Sequence, residues 1–460
     1  MRHRVHESPL PGWIDPASLA AALRGDHSVA VWLDSGIHAT SGMSYLGFGT
    51  RSLTASVALR TITVDGDTHS GDLLDFLRGE LRAPEPSTST GFRLGWVGWL
   101  GYELRAQTMG APSAYRSRYA DASLLFVDLA IAFDHSSGSV TVLGLEPPAV
   151  DTLHAMVLGL LPALSAALST AVSAASPPTP PACVDVAWAD SDDHYSRMIM
   201  ACQAAIEAGD AYQLCLTTEA RVLSTPDPFE TYLALREANP SHHGAYFRAG
   251  DVSLLSSSPE LFLSVAPDGT IESHPIKGTR RRGETREIDE ALAAELLASD
   301  KERAENLMIV DLMRNDIARV SEIGSVSVPR LLVVETYAHV HQLVSTVRGQ
   351  LAAGLTAIDA VTACFPAGSM TGAPKLSAVT ILDSLEGRAR GVYAGAFGYF
   401  GLDGRVELSM VIRSILLDSD GATVGCGGGI TALSVPQEEV AEVKLKAAVL
   451  LAVLGAAPPA

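Results

Sequence analysis

Glu260 and Lys277 are an acid and an amine that the spacing of the chain predicts to face each other across a β-hairpin. Two runs rich in apolar and β-branched residues lie between them, on either side of Asp268-Gly269, a pair typical of a two-residue primed turn. With that loop, Pro267 faces Thr270. Counting back along both strands places Glu260 opposite Lys277, with Cβ atoms about 4.5–5.5 Å apart. The alternatives are an ordinary surface ion pair, or a register shifted by a one-residue bulge.

Three arginines follow Lys277 closely, at positions 280–282, after the bend at Gly278-Thr279. Adjacent guanidinium charges favour an anion nearby and disfavour a protonated amine. We therefore expect Lys277 to lie beside an anionic substrate and to be a usable nucleophile, because only the neutral amine can attack.

The composition excludes some classes of partner. The chain has 460 residues, 47% of them hydrophobic, which is enough for a large core or two domains. The formal net charge of −19 argues against nucleic acid and membrane surfaces as partners, although a locally basic pocket can still bind an anionic small molecule. The cysteines are scattered and never spaced as Cys-x-x-Cys, which is typical of a reducing cytoplasm without disulfides or structural zinc. They are Cys183, Cys202, Cys215, Cys364 and Cys426.

Residues 156–175 form an uncharged stretch about long enough to span a bilayer. The stretch is alanine-rich, contains Pro162, and runs into the proline-rich segment 177–181, so we predict a helix of a soluble protein followed by a linker. The N-terminus lacks an apolar segment, so we expect no secretory signal and a cytoplasmic location. The proline-rich segment predicts a division near residue 185, between an N-terminal region (1–185) and a catalytic region (186–460).

Glu302 and Glu305 form a Glu-x-x-Glu pair on one face of a predicted helix that begins at Ser299. Ser299-x-x-Glu302 also fits a capping box, which is the structural explanation for Glu302. The Glu302–Glu305 pair alone therefore does not establish a metal-binding site.

A second Glu-x-x-Glu pair, Glu439 and Glu442, shares a face of the last predicted helix with Lys446. That helix is expected to begin at Ser434, with Gln437 completing a capping box. For an isolated helix, a solvated surface with an i,i+4 Glu–Lys pair is the simpler interpretation. Two such helices in one chain favour a shared site for the four carboxylates.

Residues 365–375 form a glycine-rich loop that opens a helix, with Thr371 as the expected N-cap and Pro374 in the first turn. Free backbone N–H groups at a helix start accept an anion, so Ser369, Thr371 and Gly372 are candidate ligand contacts. A plain helix start is the alternative explanation.

Arg413 lies in a predicted apolar strand, where an arginine is rarely buried without a partner. A substrate carboxylate is the simplest partner, with the Tyr393 hydroxyl as a second donor. The run Gly427-Gly428-Gly429 ends another predicted strand, and successive glycine amides can form an anion-binding nest. A glycine-rich turn is the alternative.

The segment from Pro275 to Gly283 reads Pro-Ile-Lys-Gly-Thr-Arg-Arg-Arg-Gly. It resembles the Pro-Ile-(Lys/Ala)-Gly-Thr-Arg-Pro-Arg-Gly signature of the chorismate-utilising enzymes, except that Arg281 replaces the usual proline. The segment from Lys301 to Asp316 resembles a second motif of the family. The resemblance implies an α+β fold of the anthranilate synthase component I type, an α/β sandwich of large antiparallel sheets surrounded by helices. In that fold both halves interleave, so the division near residue 185 would be topological.

The resemblance also implies the chemistry of the site. Lys277 would attack C2 of chorismate while Glu260, as general acid, protonates the departing 4-hydroxyl, and ammonia would then add at C4. Glu302, Glu305, Glu439 and Glu442 would bind Mg²⁺, for which a cluster of carboxylate oxygens is suited. The residues implied in chorismate binding are Thr279, Ser369, Thr371, Gly372, Tyr393, Arg413, Gly427, Gly428, Gly429 and Lys446.

Three positions distinguish branches of the family. A lysine at the position of Lys277 is typical of the aminodeoxychorismate synthases, whereas anthranilate synthases usually have alanine. Gln213 stands where the isochorismate and salicylate synthases have a basic lysine, and a glutamine cannot take a proton from water. Gln342 stands where anthranilate synthases have a catalytic histidine, which favours an enzyme that stops before pyruvate elimination, unless the neighbouring His341 takes that role.

Ammonia requires a source, and no stretch of the sequence resembles a glutamine amidotransferase. We therefore expect a separate amidotransferase subunit as partner, besides chorismate and ammonia as substrates. Asp34-Ser35 resembles a segment that lines a tryptophan pocket in relatives, so these two residues are candidates for tryptophan binding. The alternatives are anthranilate synthase component I, an isochorismate or salicylate synthase, and a non-catalytic chorismate-binding subunit.

Overall fold

The computed structural model describes residues 4–24, 29–81, 91–171, 184–337 and 340–456, with only the backbone described at 167–171. The predicted linker at 177–181 and the end of the apolar stretch at 172–175 lie outside the described residues.

The described chain consists of short and medium strands interrupted by helices. The strands are β1 (His6–Pro9), β2 (Val31–Asp34), β3 (Met43–Phe48), β4 (Arg51–Ser56), β5 (Thr61–Val64), β6 (Asp67–Ser70), β7 (Gly95–Leu100), β8 (Ala122–Val127), β9 (Leu129–Asp134), β10 (Ser139–Gly144), β11 (Val186–Trp188), β12 (Gln213–Val222), β13 (His243–Ala249), β14 (Val252–Ser258), β15 (Leu261–Val265), β16 (Thr270–Ser273), β17 (Ile276–Arg281), β18 (Ser327–Thr336), β19 (Val340–Gln350), β20 (Gly372–Ala373), β21 (Ala396–Gly401), β22 (Val406–Met410), β23 (Ser414–Asp418) and β24 (Gly421–Ile430). The helices are α1 (Pro16–Ala22), α2 (Leu73–Glu80), α3 (Arg105–Met109), α4 (Pro147–Ala171), α5 (Asp192–Glu207), α6 (Pro228–Ala238), α7 (Arg286–Ala298), α8 (Asp300–Ala318), α9 (Ala357–Cys364), α10 (Lys375–Glu386) and α11 (Pro436–Val453).

Two 12-stranded sheets dominate the structure. The first has the order β1-β10-β9-β3-β2-β13-β14-β23-β24-β12-β11, with β20 added to β12. The second has the order β17-β19-β16-β15-β22-β21-β7-β8-β4-β5-β6, with β18 added to β19. The pairings between these strands are antiparallel, so the predicted α+β class with large antiparallel sheets is confirmed.

Three layers of buried side chains hold the sheets and helices together. One layer lies between the two sheets, where Phe247 of the first sheet meets Phe397 of the second with ring centroids 5.6 Å apart. A second layer lies between the first sheet and helices that include α1, α5 and α11. The third lies between the second sheet and helices that include α2, α8 and α9. The result is a sandwich of two sheets with helices on both outer faces.

Both sheets contain strands from both sides of the division predicted near residue 185. In the first sheet β2 pairs with β13, and in the second sheet β7 pairs with β21. The two regions therefore share their sheets, and the division stays a prediction about sequence organisation.

Helix α4 is long and apolar enough to cross a membrane by length and composition alone, over residues 147–166. One of its faces packs on the first sheet, where Val150, Leu153 and Val157 are buried in the core. That packing is typical of a surface helix with one apolar face.

Candidate active site

A cavity of about 460 Å³ contains most of the residues that the sequence singles out. It lies where the start of β15, β17 and the N-terminus of α8 meet the end of β24 and the first half of α11. Fourteen of the predicted residues line it: Glu260, Lys277, Thr279, Glu302, Glu305, Ser369, Tyr393, Arg413, Gly427, Gly428, Gly429, Glu439, Glu442 and Lys446.

The hairpin that leads to Lys277 is present, but its predicted register is wrong. Ser264 faces Glu272 and Val265 faces Ile271, so the loop is a three-residue turn closed by Ala266 and Thr270, with Gly269 at φ +85°. Three-residue hairpin loops of this kind place a glycine in the left-handed region, which the Asp-Gly pair also permits. Glu260 therefore does not face Lys277 across a ladder.

Lys277 is aimed into the cavity by a β-bulge. Between Ile276↔Val344 and Thr279↔Gln342, Lys277 and Gly278 together oppose the single residue Leu343. Such a bulge changes the direction of a side chain and is common beside active sites. Gly278 has φ +80°, and a Cβ added there would lie 2.9 Å from a Glu302 carboxylate oxygen, so the bulge requires glycine.

Asn306 fixes α8 against the strand that carries Lys277. Its side-chain amide donates to the carbonyl oxygens of Pro275 (3.4 Å) and Leu343 (3.2 Å), and its oxygen accepts from the Ser345 hydroxyl (2.6 Å). Asn306 is fully buried. These three bonds therefore set the distance between Lys277 and the carboxylates of α8, a role that sequence reasoning missed because all three partners are distant in the chain.

Glu260 is buried at the start of β15, where its own carbonyl accepts from the amide of Met410 (3.0 Å). Burial raises the pKa of its carboxyl to about 7, although the Lys277 charge, the Ser369 hydroxyl and the Ile276 amide each act to lower it. A carboxyl that is half protonated near neutral pH is suited to general acid catalysis.

Two of the three arginines after Lys277 are paired with acids on neighbouring helices. Arg280 pairs with Glu295 (3.0 Å) and Glu302 (3.4 Å), and Arg282 pairs with Asp289 (2.7 Å). Their partners lie on α7 and α8, because the side chains of β17 alternate in direction along the strand. Arg280 and Arg282 thus attach the two helices to β17.

The two Glu-x-x-Glu pairs lie on helices that face each other across the cavity. Helix α8 begins as predicted, with the Ser299 hydroxyl accepting from the Glu302 amide (3.4 Å). Helix α11 begins at Pro436 and not at Ser434, so the predicted capping box with Gln437 is wrong. The Ser434 hydroxyl instead donates to the Glu439 carboxylate (2.8 Å) and orients one of the candidate metal ligands.

The four carboxylates differ in their immediate partners. Glu442 forms an ion pair with Lys446 (2.6 Å); burial alone would raise the pKa of Glu442, but the Lys446 charge and hydrogen bond outweigh burial and lower it. Burial raises the pKa of both Glu305 and Glu439, and the charge of a neighbouring glutamate, including Glu442, adds to the effect in each case.

Within the described residues, no three His, Cys, Asp or Glu side chains converge closely enough to hold a metal ion without rearrangement. The donor set nevertheless fits Mg²⁺, because all four side chains offer hard carboxylate oxygens from two facing helices into one cavity. The like-charge crowding at Glu305 and Glu439 is also the kind that a divalent cation relieves.

Arg413 and Tyr393 also line the cavity. Arg413 lies between β22 and β23 instead of within a strand, at φ +51°, a conformation that a non-glycine residue rarely adopts. Burial lowers the pKa of its guanidinium, and one of its nitrogens donates to the Lys446 carbonyl (3.2 Å). Burial raises the pKa of Tyr393 far above its ordinary value, so this hydroxyl stays protonated and can donate. A Cβ at Gly425 would lie 2.1 Å from the Tyr393 ring, so glycine is required there.

The glycines at 427–429 do not form a nest at a turn, as predicted, because they lie inside β24 and pair with β12. Antiparallel strands direct alternate residues toward and away from a given neighbour. The Gly427 carbonyl accepts from the Lys446 amine (3.1 Å), so the backbone of Gly427, and by alternation that of Gly429, points away from β12. Gly427 and Gly429 therefore offer backbone groups to the cavity from a strand edge.

Thr371 and Gly372 lie behind the cavity wall and not in its lining. The Thr371 hydroxyl donates to the Ala367 carbonyl (3.1 Å), and Gly372 pairs with Leu214 of β12. Helix α10 begins at Lys375 with Pro374 as its N-cap, so the predicted N-cap at Thr371 is wrong. Among the predicted contacts in this loop, Ser369 is the one that reaches the cavity.

Gln342 lines the cavity, whereas His341 on the same strand points the other way. The His341 ring is buried between the Asp289 carboxylate (2.8 Å) and the Thr336 hydroxyl (2.9 Å). His341 therefore does not take the position of the histidine that Gln342 replaces. Gln213 is buried, and its side-chain oxygen has no hydrogen-bond partner among the described residues.

Asp34 and Ser35 lie beside a separate cavity of about 830 Å³ between the sheets. The Asp34 carboxylate is already bound by Arg236 (2.5 Å) and by the Tyr232 hydroxyl (3.0 Å). The Ser35 hydroxyl donates to the Met43 carbonyl (2.8 Å). Both side chains shape this cavity, and tryptophan binding there stays a prediction.

A family model described as chorismate binding enzyme matches residues 32–452 of this chain. The chain belongs to the family of chorismate binding enzymes. It is 42% identical over 477 aligned residues to a protein named aminodeoxychorismate synthase from Streptomyces pristinaespiralis, an alignment that covers 98% of this chain and 65% of that protein. It is 35% identical over 372 residues to aminodeoxychorismate synthase component 1 of Bacillus subtilis, covering 76% of this chain and 75% of that protein.

The fold also matches a solved structure of the family. The crystal structure of anthranilate synthase component I from Streptococcus pneumoniae has a TM-score of 0.78 and 29% sequence identity, covering 95% of this chain and 97% of that chain. The predicted anthranilate synthase component I type of fold is thereby confirmed. The chain spans 65% of the length of the Streptomyces relative.

Proposed function

We propose that this chain aminates chorismate at C4, giving 4-amino-4-deoxychorismate for 4-aminobenzoate and folate synthesis. One observation carries the proposal: Glu260, with a pKa of about 7, and the amine of Lys277 line the same cavity of about 460 Å³. The relatives named aminodeoxychorismate synthase support it, since the two alignments cover 98% and 76% of this chain.

Two groups of residues in the cavity suit the two carboxylates of chorismate. Arg413, the Tyr393 hydroxyl and the strand-edge amides of Gly427 and Gly429 would hold the enolpyruvyl carboxylate. Thr279 and Ser369, which also line the cavity, would contact the ring. The ring carboxylate would then lie toward the glutamates of α8 and α11. Mg²⁺ held by Glu302, Glu305, Glu439 and Glu442 would neutralise the negative charge of that carboxylate.

In the first step the Lys277 amine forms a bond to C2 of chorismate. Both ring double bonds shift and the C4–O bond breaks, with the proton of Glu260 passing to the departing hydroxyl, which leaves as water. The amine loses a proton as it becomes bonded to carbon, and this proton returns to the Glu260 carboxylate. Lys277 is thus the nucleophile and Glu260 the general acid.

In the second step ammonia bonds to C4, the double bonds return to their first arrangement, and the C2–N bond to Lys277 breaks. The regenerated amine recovers its proton and the product carries the amino group at C4. We propose that a glutamine amidotransferase subunit supplies the ammonia and that the reaction takes place in the cytoplasm. Four buried, unpaired cysteines among the described residues are consistent with a reducing compartment.

Anthranilate synthase component I is the second candidate, because a crystal structure of that enzyme is similar over 95% of this chain. Two side chains in the cavity argue against it. Gln342 cannot remove a proton in the way that a histidine can, and His341 is committed to Asp289 and Thr336. An enzyme that uses water as nucleophile is disfavoured, because Gln213 stands at the position of the basic lysine and its amide cannot take a proton from water.

The deciding experiment is product analysis with purified chain, chorismate, Mg²⁺ and ammonium, with and without an added aminodeoxychorismate lyase. We expect 4-aminobenzoate only when the lyase is present. Anthranilate formed without the lyase would support the second candidate. Unchanged chorismate in both reactions would reject catalysis and favour a non-catalytic binding subunit.

A further inference from the structure

A second cavity, of about 370 Å³, adjoins the cavity that contains Lys277. The two cavities have two lining residues in common, Tyr393 and Gly425. The Tyr393 ring fills the space that a side chain at position 425 would need, since a Cβ there would lie 2.1 Å from the ring. The ring of Tyr393, packed on a glycine, therefore stands between the two cavities.

Strand β24 contributes to the walls of both cavities. Thr423 and Gly425 line the second cavity, and Gly425 and Gly429 line the first. Alternate residues of a strand lie on the same face of a sheet, so these three positions share one face. A Cβ at Gly429 would lie 3.8 Å from the Lys277 amine. One face of β24 thus leads from the second cavity, past Tyr393, to the proposed nucleophile.

Two loops that carry arginines also line the second cavity. They are residues 115–119 and 387–391, and each contributes two guanidinium groups. The four arginines are Arg116, Arg118, Arg388 and Arg390. Among the described residues, Glu219 is the only acid in this lining.

Two of these four positive charges are compensated by close acids, and two are not. Arg118 and Arg390 form ion pairs of 2.6 and 2.7 Å with acids on β23 and α10. Arg388 lies 4.0 Å from the Asp190 carboxylate, and Arg116 has no ion pair among the described residues. A cavity lined by one sign of charge repels small ions of that sign. The second cavity therefore disfavours ammonium but not neutral ammonia, which has the lone pair needed to attack carbon.

We propose that ammonia reaches the Lys277 adduct through the second cavity, past the Tyr393 ring, while chorismate occupies the first. The inference rests on the proposed function, because ammonia is the nucleophile of its second step. Chorismate held by both of its carboxylates obstructs the first cavity, so the second gives ammonia its own access after the adduct has formed. Ammonia is no larger than a water molecule, so a small displacement of the ring opens the way.

The test is steady-state kinetics of the full chain with chorismate, ammonium chloride, Mg²⁺ and added lyase, with each substrate varied in turn. Ala389→Trp and Ser117→Trp place a large ring in the second cavity from its two different loops. In both variants we expect the KM for ammonium to rise on the order of tenfold, with an unchanged KM for chorismate. Ala114→Trp is the matched control, since Ala114 is exposed near Ser117 and lies outside the lining.

The covalent first step shows that each variant is folded. Incubation with chorismate without ammonia should give the same added mass, chorismate minus one water, in the wild type and in the variants. If one of the two cavity variants fails this check, the other decides.

The outcomes separate the ammonia route from the reaction itself. A rise in the ammonium KM of the cavity variants alone supports the route. An unchanged ammonium KM in a cavity variant that forms the adduct, or an equal rise in the chorismate KM or in Ala114→Trp, would overturn the route. The proposed function would then still stand, because product is formed. If the wild type forms no 4-amino-4-deoxychorismate from ammonium, both the function and the route are rejected.

Discussion

Replacing Glu260 by glutamine should make the protein less active and, at alkaline pH, more stable. Glutamine has nearly the shape of glutamate but cannot ionise. Glu260 is 8% exposed, and its pKa rises from an ordinary value of 4.5 to about 7 mainly because burial disfavours the charged form. The side chain that would serve as the acid thus destabilises the fold whenever it is ionised.

The magnitude follows from proton linkage. A carboxyl with a raised pKa in the folded state contributes stability that is fully present below its unfolded pKa and is lost as the pH rises through its folded pKa. At about 1.4 kcal/mol per pH unit, the interval from 4.5 to about 7 corresponds to about 3 kcal/mol. We therefore expect Glu260→Gln to be about 3 kcal/mol more stable than the wild type at about pH 8.5, and nearly equal to it at about pH 4.

The assay is urea-induced unfolding of both proteins across this pH range, together with chorismate turnover. Burial also raises the pKa of Glu103 to about 7, so the pH dependence of the wild-type unfolding free energy contains contributions from both carboxyls. The difference in unfolding free energy between the wild type and Glu260→Gln isolates the contribution of Glu260. Loss of the general acid should lower the rate about 10²–10⁴-fold. Full activity in the variant would refute the acid role. A variant that is no more stable than the wild type at alkaline pH would refute the burial argument.

Three further perturbations test the scaffold and the metal site. Asn306→Ala should destabilise the fold by about 2–3 kcal/mol, because it removes three buried hydrogen bonds that join α8 to Pro275 and to β19; a change below about 1 kcal/mol in urea unfolding would contradict this. His341→Ala should lower the melting temperature but keep kcat within about twofold, because its ring faces away from the cavity; lost turnover with an unchanged melting temperature would contradict it. Removing divalent cations with EDTA should abolish turnover, and adding Mg²⁺ back should raise the melting temperature with concentration, as expected for a ligand that binds the folded state; turnover that survives EDTA would contradict the metal site.

The sequence predicted which residues share the cavity better than how they reach it. Glu260 and Lys277 do lie together, although the predicted hairpin register is wrong and a bulge at Gly278 aims the lysine. The Asp268-Gly269 pair is compatible with both a two-residue and a three-residue hairpin loop, so the local sequence does not distinguish the two loop lengths. The bulge depends on the pairing of β17 with β19, more than sixty residues later in the chain, which local patterns do not specify.

Charge patterns were the least reliable guide. Arg280 and Arg282 are paired with acids on α7 and α8, and a run of like charges does not reveal which partners the fold will bring to it. Ser434 was assigned to a helix cap but holds the Glu439 side chain. The sequence gives no signal for Asn306, because its partners Pro275 and Leu343 lie more than thirty residues away in the chain.

The most direct test of the account is the intact mass of the protein after incubation with chorismate and Mg²⁺ in the absence of ammonia. With no second nucleophile, the account predicts an added mass equal to chorismate minus one water, located on Lys277 by peptide mapping. The addition should be absent from Lys277→Ala and should disappear when ammonium is supplied. Two results would contradict covalent catalysis by Lys277. One is a wild type that forms product with ammonium but shows no adduct when ammonia is withheld. The other is an adduct that persists in Lys277→Ala.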